Sequence, residues 1–167
     1  PGVPSLPYSD GDATEVALLA TLRRSRDLSV LSDELRAAIT DWPTEYHLSS
    51  VRANLLRHLP IGTNDTVLEL GAGCGALTRW LGETGATIVA VEGSARRAAI
   101  ARERCRDLGN VSVVCDQIAA IDAPAADWVL LVGVLEYANA FRDAPGDGVE
   151  ALLARARRLV GARGALV

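Results

Sequence analysis

The sequence predicts an α/β domain built on a doubly wound parallel sheet, and three observations predict it. From about residue 62 onward, apolar runs of strand length alternate with amphipathic stretches of helical period, the pattern of successive strand-helix-strand crossovers. The first of those runs, VLEL, passes directly into the glycine-rich turn GAGCG and then into a helical stretch. The 167 residues are 49% hydrophobic and carry seventeen basic against twenty-one acidic side chains, a net charge of −4 that fits one globular domain. A chain of this length can bury roughly 70% of the surface its unfolded form exposes, so it needs neither disulfides nor a structural metal.

Two segments follow from the change in periodicity near residue 62: an N-terminal arm and helical extension over 1–61, and a sheet core over 62–167. The first eleven residues carry three prolines and two glycines and read as an extended arm. Asp12 with Glu15 resembles a capping box and opens a helix to about Arg24, with Val16, Leu18, Leu19 and Leu22 on its apolar face. A second helix fits Ser32 to about Thr40, ended by Trp42-Pro43. A third, capped by Ser49 or Ser50, presents Val51, Leu55, Leu56 and Leu59 until Pro60 stops it. Strands are expected at Thr66–Leu70, Thr87–Val91, Val111–Cys115, Trp128–Val132 and Gly164–Val167. Helices are expected at about Ala76–Gly82, Ala95–Leu108, Val134–Ala140 and Val149–Val160, with Gly109 as a C-cap.

Several functional classes are disfavoured. No run of about eighteen apolar residues occurs, and no basic stretch leads into an apolar core at the N-terminus, so no membrane insertion is expected and a cytoplasmic location follows. Cys74, Cys105 and Cys115 lie far apart without a C-x-x-C pair, which argues against a disulfide framework and against metal. The arginines are scattered among acids, so no nucleic acid partner is expected. Arg96 to Arg106 read as a solvated helix face, and Arg155, Arg157 and Arg158 as charges favouring a helix C-terminus.

The chemistry is concentrated in residues 67–77, VLELGAGCGAL. Glycines are needed where a chain turns sharply from strand to helix and where a ligand approaches the backbone too closely for a Cβ. Gly71, Gly73 and Gly75 alternate there, and Glu69 ends the strand. Gly71, Gly73 and Ala76 also satisfy the dinucleotide pattern G-x-G-x-x-G/A, so the turn alone leaves a nicotinamide site open. A diphosphate gains nothing from a carboxylate two residues before the turn, whereas a ligand with an amino group does. Cys74, inside the turn, reads as a small filler. Glu92 stands beyond the second strand, where an acid can accept from both ribose hydroxyls of an adenosine, and Asp116 ends the third.

With Glu69, Gly71, Gly73 and Gly75, the chain resembles the class I S-adenosylmethionine-dependent methyltransferases, whose first motif reads E/D-x-G-x-G-x-G. The resemblance implies a Rossmann-like core with strand order 3-2-1-4-5 and S-adenosylmethionine as cofactor, with S-adenosylhomocysteine as product. It implies a cofactor site made of Glu69, Gly71, Ala72, Gly73 and Gly75, of Glu92 and Gly93, of Asp116, Gln117 and Ile118, and of Gly133. Asp116 would accept from the adenine amine, and Glu136 and Tyr137 would face the cleft. The D/N-P-P-Y signature of many amino-group methyltransferases is absent, which leaves oxygen, carbon or other small-molecule acceptors.

In the segment WPTEYHLSSVRANLLR, Tyr46 and Arg52 are expected to close over the cofactor and meet its carboxylate, since a guanidinium offers a bidentate fork. His47 is a candidate general base, but no catalytic residue is assigned. The same segment loosely resembles bacterial methyltransferases of surface-polysaccharide pathways, which points to a small-molecule or saccharide acceptor. Family members continue past a full fifth strand into an antiparallel pair, so a core incomplete after strand five is expected, with self-association through the exposed sheet edge. A nicotinamide-dependent oxidoreductase and a non-catalytic S-adenosylmethionine-binding domain are the rival readings.

Overall fold

Strands β1 (Thr66–Leu70), β2 (Thr87–Glu92), β3 (Val111–Cys115), β4 (Ala126–Leu130) and β5 (Val160–Leu166) form one sheet in the order β3-β2-β1-β4-β5. Every neighbouring pair is parallel, as the sequence predicts. The computed structural model describes residues 11–118, 120–136 and 148–167. A parallel sheet is covered on both faces, so its central strands read as near-continuous apolar runs. In β1, Val67, Leu68 and Leu70 are all at most 2% exposed, and Glu69 is buried among them. Because β2 and β4 flank β1 on opposite sides, the order in which strands are added reverses between β1 and β4, and the crevice beyond their carboxyl ends is the place where such sheets bind ligands.

The two sheet faces have separate cores. On one face Val67, Ile88, Ala90 and Leu130 pack against Leu77 and Leu81 of α4 (Ala76–Glu83) and against Leu56. On the other, Leu68, Leu70, Val91 and Val129 pack against Ile121, Val134 and Ala156, the last from α6 (Val149–Arg158). Each fully buried Leu, Ile or Val contributes about 1.5–3 kcal/mol by leaving water. Polar ties fix the strand starts: Asp127 accepts from both the amide and the hydroxyl of Thr66, each at 2.8 Å. The Asn110 amide donates to the carbonyls of Gly82 and Ala86.

The N-terminal segment forms a third cluster. Leu18 and Leu22 of α1 (Asp12–Arg24), Leu28, Leu35 of α2 (Asp33–Ala37) and Leu48 of α3 (Trp42–Leu48) pack with Cys74 and with Ile100 of α5 (Ala95–Arg104). This cover corrects the solvated reading of the Arg96 to Arg106 stretch in part: Arg97 and Arg104 are covered, while Arg96, Arg102 and Arg106 stay exposed. Arg96 pairs with Asp12, Arg97 donates to Glu15 at 3.2 Å, and Arg106 donates to the carbonyls of Leu22 and Ser25. Arg104 is only 3% exposed. The amphipathic pattern of α5 is genuine, but its polar face meets a second layer.

Other expectations shift in detail. Trp42-Pro43 starts a helix rather than ending one: Asp41 accepts from the Thr44 amide at 2.9 Å, and the Thr44 hydroxyl oxygen accepts from the Asp41 amide at 3.0 Å. Proline is tolerated there because first-turn amides have no intrahelical partner. The α1 N-cap is Gly11, without a side-chain cap, so the Asp12 capping box does not form. Ser49 caps a 3₁₀ turn over Ser50–Leu55 instead of an α-helix, and Val51 and Leu55 are 65% and 53% exposed. α2 is shorter than expected and α5 stops at Arg104. β4 begins and ends two residues early, and β5 begins at Val160. The helix expected at 134–140, and with it Tyr137, lies largely outside the described residues. Among the described residues no helix is long and apolar enough to cross a membrane.

Candidate functional site

The glycine turn lies where the sequence places it, between β1 and α4 at the carboxyl edge of the sheet. Gly71, Gly73 and Gly75 have φ of +87°, +57° and +84°, the left-handed region that side chains resist. The amides of Gly71 and Ala72 both donate to the Val91 carbonyl, at 2.8 and 2.9 Å, which holds the turn against the end of β2. The three glycines then divide by surroundings. A Cβ on Gly71 would lie 2.5 Å from Val134 Cγ2, and one on Gly75 would lie 2.9 Å from Ala101 Cα. A Cβ on Gly73 would meet nothing within 4 Å. Gly71 and Gly75 are therefore required by packing, while Gly73 borders open space.

Two buried carboxylates flank that space. Glu92, 4% exposed, accepts from the Gly73 amide through Oε2 and from the Ser94 amide through Oε1, both at 2.8 Å. Each oxygen keeps a further lone pair for a ligand hydroxyl. Glu69 is 5% exposed and accepts from the Thr78 hydroxyl on α4 at 2.6 Å. Its pKa is pushed up to about 7, mainly by burial and further by the charge of Glu92; the Thr78 hydroxyl and the Arg52 charge act in the opposite direction. Thr78 carries no motif in the sequence, and its role is visible only because the first turns of α4 face β1.

Beyond β3, the half-buried Asp116 donates its amide to the Glu92 carbonyl at 3.1 Å, and its Oδ1 accepts from the Gln117 amide at 2.7 Å. Ile118 packs on the core under β1 and β2. Gly93, Asp116 and Gln117 thus border the same crevice as the glycine turn. Gly133, with φ of +69°, follows β4, and its successor Val134 is the residue that abuts Gly71.

The expected closing segment is also close. The Arg52 guanidinium sits 3.8 Å over the Tyr46 ring, and its charge reaches Glu69. Tyr46 Oη lies 3.9 Å, and Glu136 Oε1 3.8 Å, from the position a Cβ would take on Gly133. Trp42 packs beside Tyr46 with ring centroids 5.3 Å apart, and His47, buried, meets Tyr46 edge-on. Cys74 is buried in the N-terminal cluster and packs there as a small side chain.

A doubly wound sheet with a glycine turn and acids at the ends of its first three strands defines a Rossmann-like nucleoside-binding domain. Residues 68–166 match the family model described as methyltransferase domain, and the chain belongs to that family. A 76-residue stretch is 38% identical to ribosomal RNA small subunit methyltransferase A of Lactiplantibacillus plantarum, covering 46% of this chain and 26% of that protein. A 54-residue stretch is 39% identical to demethylmenaquinone methyltransferase of Tropheryma whipplei, covering 32% and 23% respectively. The chain spans about a quarter of the length of these curated relatives.

Among solved structures, coclaurine N-methyltransferase bound to N-methylheliamine and SAH superposes with a TM-score of 0.60 at 20% identity, over 95% of this chain and 51% of that one. The DhpI-SAM-HEP complex superposes with a TM-score of 0.58 at 23% identity, over 95% and 65%. At these identities the likeness establishes the fold.

Proposed function

We propose that this domain binds S-adenosylmethionine across the carboxyl ends of β1, β2 and β3 and transfers its methyl group to a hydroxyl of a small molecule or saccharide. The observation that carries the cofactor reading is the contrast within the glycine turn: Gly73 faces open space beside two buried carboxylates, while its neighbours are closed by packing. That cradle suits a nucleoside bearing an amino group. A diphosphate would meet the buried Glu92 carboxylate and gain nothing from Glu69.

Each residue has a role in this reading. Glu92 holds the ribose hydroxyls with its remaining lone pairs. Asp116 accepts from the adenine amine, the Gln117 amide turns from Asp116 Oδ1 to donate to the ring, and Ile118 and Gly93 line the adenosine. Glu69, ionised by the arrival of a cationic group, holds the ligand amine, and the fork of Arg52 holds its carboxylate. Ala72, Gly73 and Gly133 border the methionine moiety with main chain alone. The bound cofactor supplies an electrophilic methyl on a sulfonium, so the contribution of the chain is alignment and exclusion of water.

The net charge of −4 supports a small acceptor over a polyanion. A single-turnover assay with methyl-labelled S-adenosylmethionine, offering phenols, simple sugars and a short RNA in separate arms, tests the reading. Label in the hydroxyl compounds is expected. Label in the RNA would redirect the acceptor to nucleic acid, as in the ribosomal RNA methyltransferase relative. Tight S-adenosylhomocysteine binding without any transfer would make this a binding domain, and thermal stabilisation by NAD alone would make it an oxidoreductase.

A further inference from the structure

We infer that Thr78 is a positioning residue for the cofactor's amino group: its hydroxyl clamps one oxygen of Glu69, leaves the other open to the crevice, and favours the ionised carboxylate that an ammonium group needs. The inference rests on the cofactor reading above and adds to it the device that governs how tightly the amine is held across neutral pH.

Three observations converge. A threonine inside a helix commonly turns its hydroxyl back to a carbonyl one turn earlier, and Thr21 in α1 does so, donating to the Ala17 carbonyl at 3.0 Å. Thr78 in α4 has the same opportunity and instead donates to Glu69 Oε2 at 2.6 Å, in a contact where Thr78 is 0% exposed. A hydroxyl so close to a carboxylate makes a charge-assisted bond once the acid ionises.

The two oxygens of Glu69 also differ. Oε2 is taken by Thr78, whereas Oε1 accepts no hydrogen bond among the described residues. The buried side-chain atoms left without a partner there are Arg104 Nε, Arg104 Nη1 and Arg155 Nε, and Oε1 is not one of them. Oε1 therefore reaches accessible space and is the oxygen offered to a ligand. The clamp, finally, spans the glycine turn: Glu69 stands two residues before Gly71 and Thr78 three residues after Gly75, so the bond ties the strand end to the first turn of α4 around the open space at Gly73.

The charges around Glu69 give the hydroxyl its weight. Burial pushes the carboxyl up to about 7, and the Thr78 hydroxyl is the strongest opposing influence; Glu92 on β2 raises it further and Arg52 lowers it. Ala90 and Leu130, the register neighbours on β2 and β4, are apolar. Burial and the charge of Glu69 push the Cys105 thiol up to about 12, so it stays neutral. Arg79, next to Thr78 on α4, turns away to Glu83 and Asp107. Without the hydroxyl the carboxyl keeps its proton to higher pH, and a neutral carboxyl holds an ammonium weakly. When the ligand binds a protonated Glu69, the carboxyl O–H bond breaks, the proton passes to solvent, and the carboxylate pairs with the ammonium.

The test is calorimetric titration of the whole chain with S-adenosylhomocysteine over about pH 5.5 to 8.5, below the titration of a free amino acid's ammonium. Wild-type affinity should rise with pH to about 7 and level off above it, because the ligand takes the ionised form. Thr78→Val should move that midpoint up by about one pH unit, weakening binding roughly 10-fold at about pH 6 and less than about 3-fold at about pH 8.5. Thr78→Ser should restore the wild-type profile. In Glu69→Gln the profile should be flat, and adding Thr78→Val should change affinity by less than about 2-fold. Should Thr78→Val fail to fold, Thr78→Ala supplies the same comparison. Equal weakening at every pH, an unmoved midpoint, or the same loss on top of Glu69→Gln gives Thr78 a packing role only and overturns the inference. Failure of S-adenosylhomocysteine to bind the wild type at any pH removes the cofactor reading and this inference with it.

Discussion

Replacing Glu69 by glutamine is expected to stabilise the protein and weaken its ligand at the same time. The carboxyl is almost fully buried in β1, and its pKa rises from the ordinary value of 4.5 to about 7. In the unfolded chain it titrates normally, so between these values the native state holds a proton the unfolded state has lost. Stability from this group is therefore full below about pH 4.5 and is lost as pH rises through about 7. At about 1.4 kcal/mol per pKa unit, ionised Glu69 costs the apo protein on the order of 3 kcal/mol at alkaline pH. Glutamine fills the same volume, can accept from Thr78, and carries no charge. Urea unfolding across a pH series should show Glu69→Gln matching the wild type in acid and exceeding it by about 2–3 kcal/mol in mild alkali. S-adenosylhomocysteine affinity should fall roughly 10-fold or more with loss of the charge-assisted bond. A stability difference that does not change with pH, or a variant weaker than the wild type in alkali, would refute the placement of an ionisable, strained carboxylate beneath the glycine turn.

Glu92→Ala leaves the amides of Gly73 and Ser94 without acceptors, so calorimetry should show ligand affinity lowered by about 1–3 kcal/mol, together with a lower melting temperature. Asp116→Ala should lower affinity by a similar order of magnitude without unfolding, because among the described residues its carboxylate accepts only from the adjacent Gln117 amide. Gly75→Ala should destabilise by roughly 2 kcal/mol or more, since its Cβ would press on the Ala101 backbone as well as meeting a positive φ. Gly73→Val should retain more fold than Gly75→Val yet lose most ligand binding; equal affinity to the wild type would show that no ligand approaches the turn. Arg79→Met should cost roughly 2–4 kcal/mol in denaturant titration, because Arg79 is 5% exposed, donates to Glu83 at 2.7 Å and pairs with Asp107.

The parts of the fold that were legible in the sequence are those written locally. β1 and β3 have the expected bounds, and the glycine turn falls at the expected junction, because strand, turn and helix there each carry a composition that permits one conformation. The start of α3 carries a local signal, the capping-box spacing of Asp41 and Thr44, but Pro43 reads equally as a helix stop and as a first-turn residue. The apolar period of Val51 and Leu55 looked like a core helix, and only the packing shows that a 3₁₀ turn exposes both. The apolar run of β4 continues past the last pair with β1 into Leu131 and Val132, so composition alone sets the strand two residues late. In the site, Glu69, Glu92 and Asp116 were readable as strand-end acids. The Thr78–Glu69 bond and the Gly73–Glu92 bond depend on contacts between segments that no local pattern encodes.

The central claim is that the crevice beside Gly73 is an S-adenosylmethionine site. Calorimetric titration of the chain with S-adenosylhomocysteine and, in parallel, with NAD tests it most directly. The account predicts one-to-one binding of S-adenosylhomocysteine, abolished in Gly73→Val, and no measurable heat with NAD. Saturable NAD binding with no response to S-adenosylhomocysteine would contradict it.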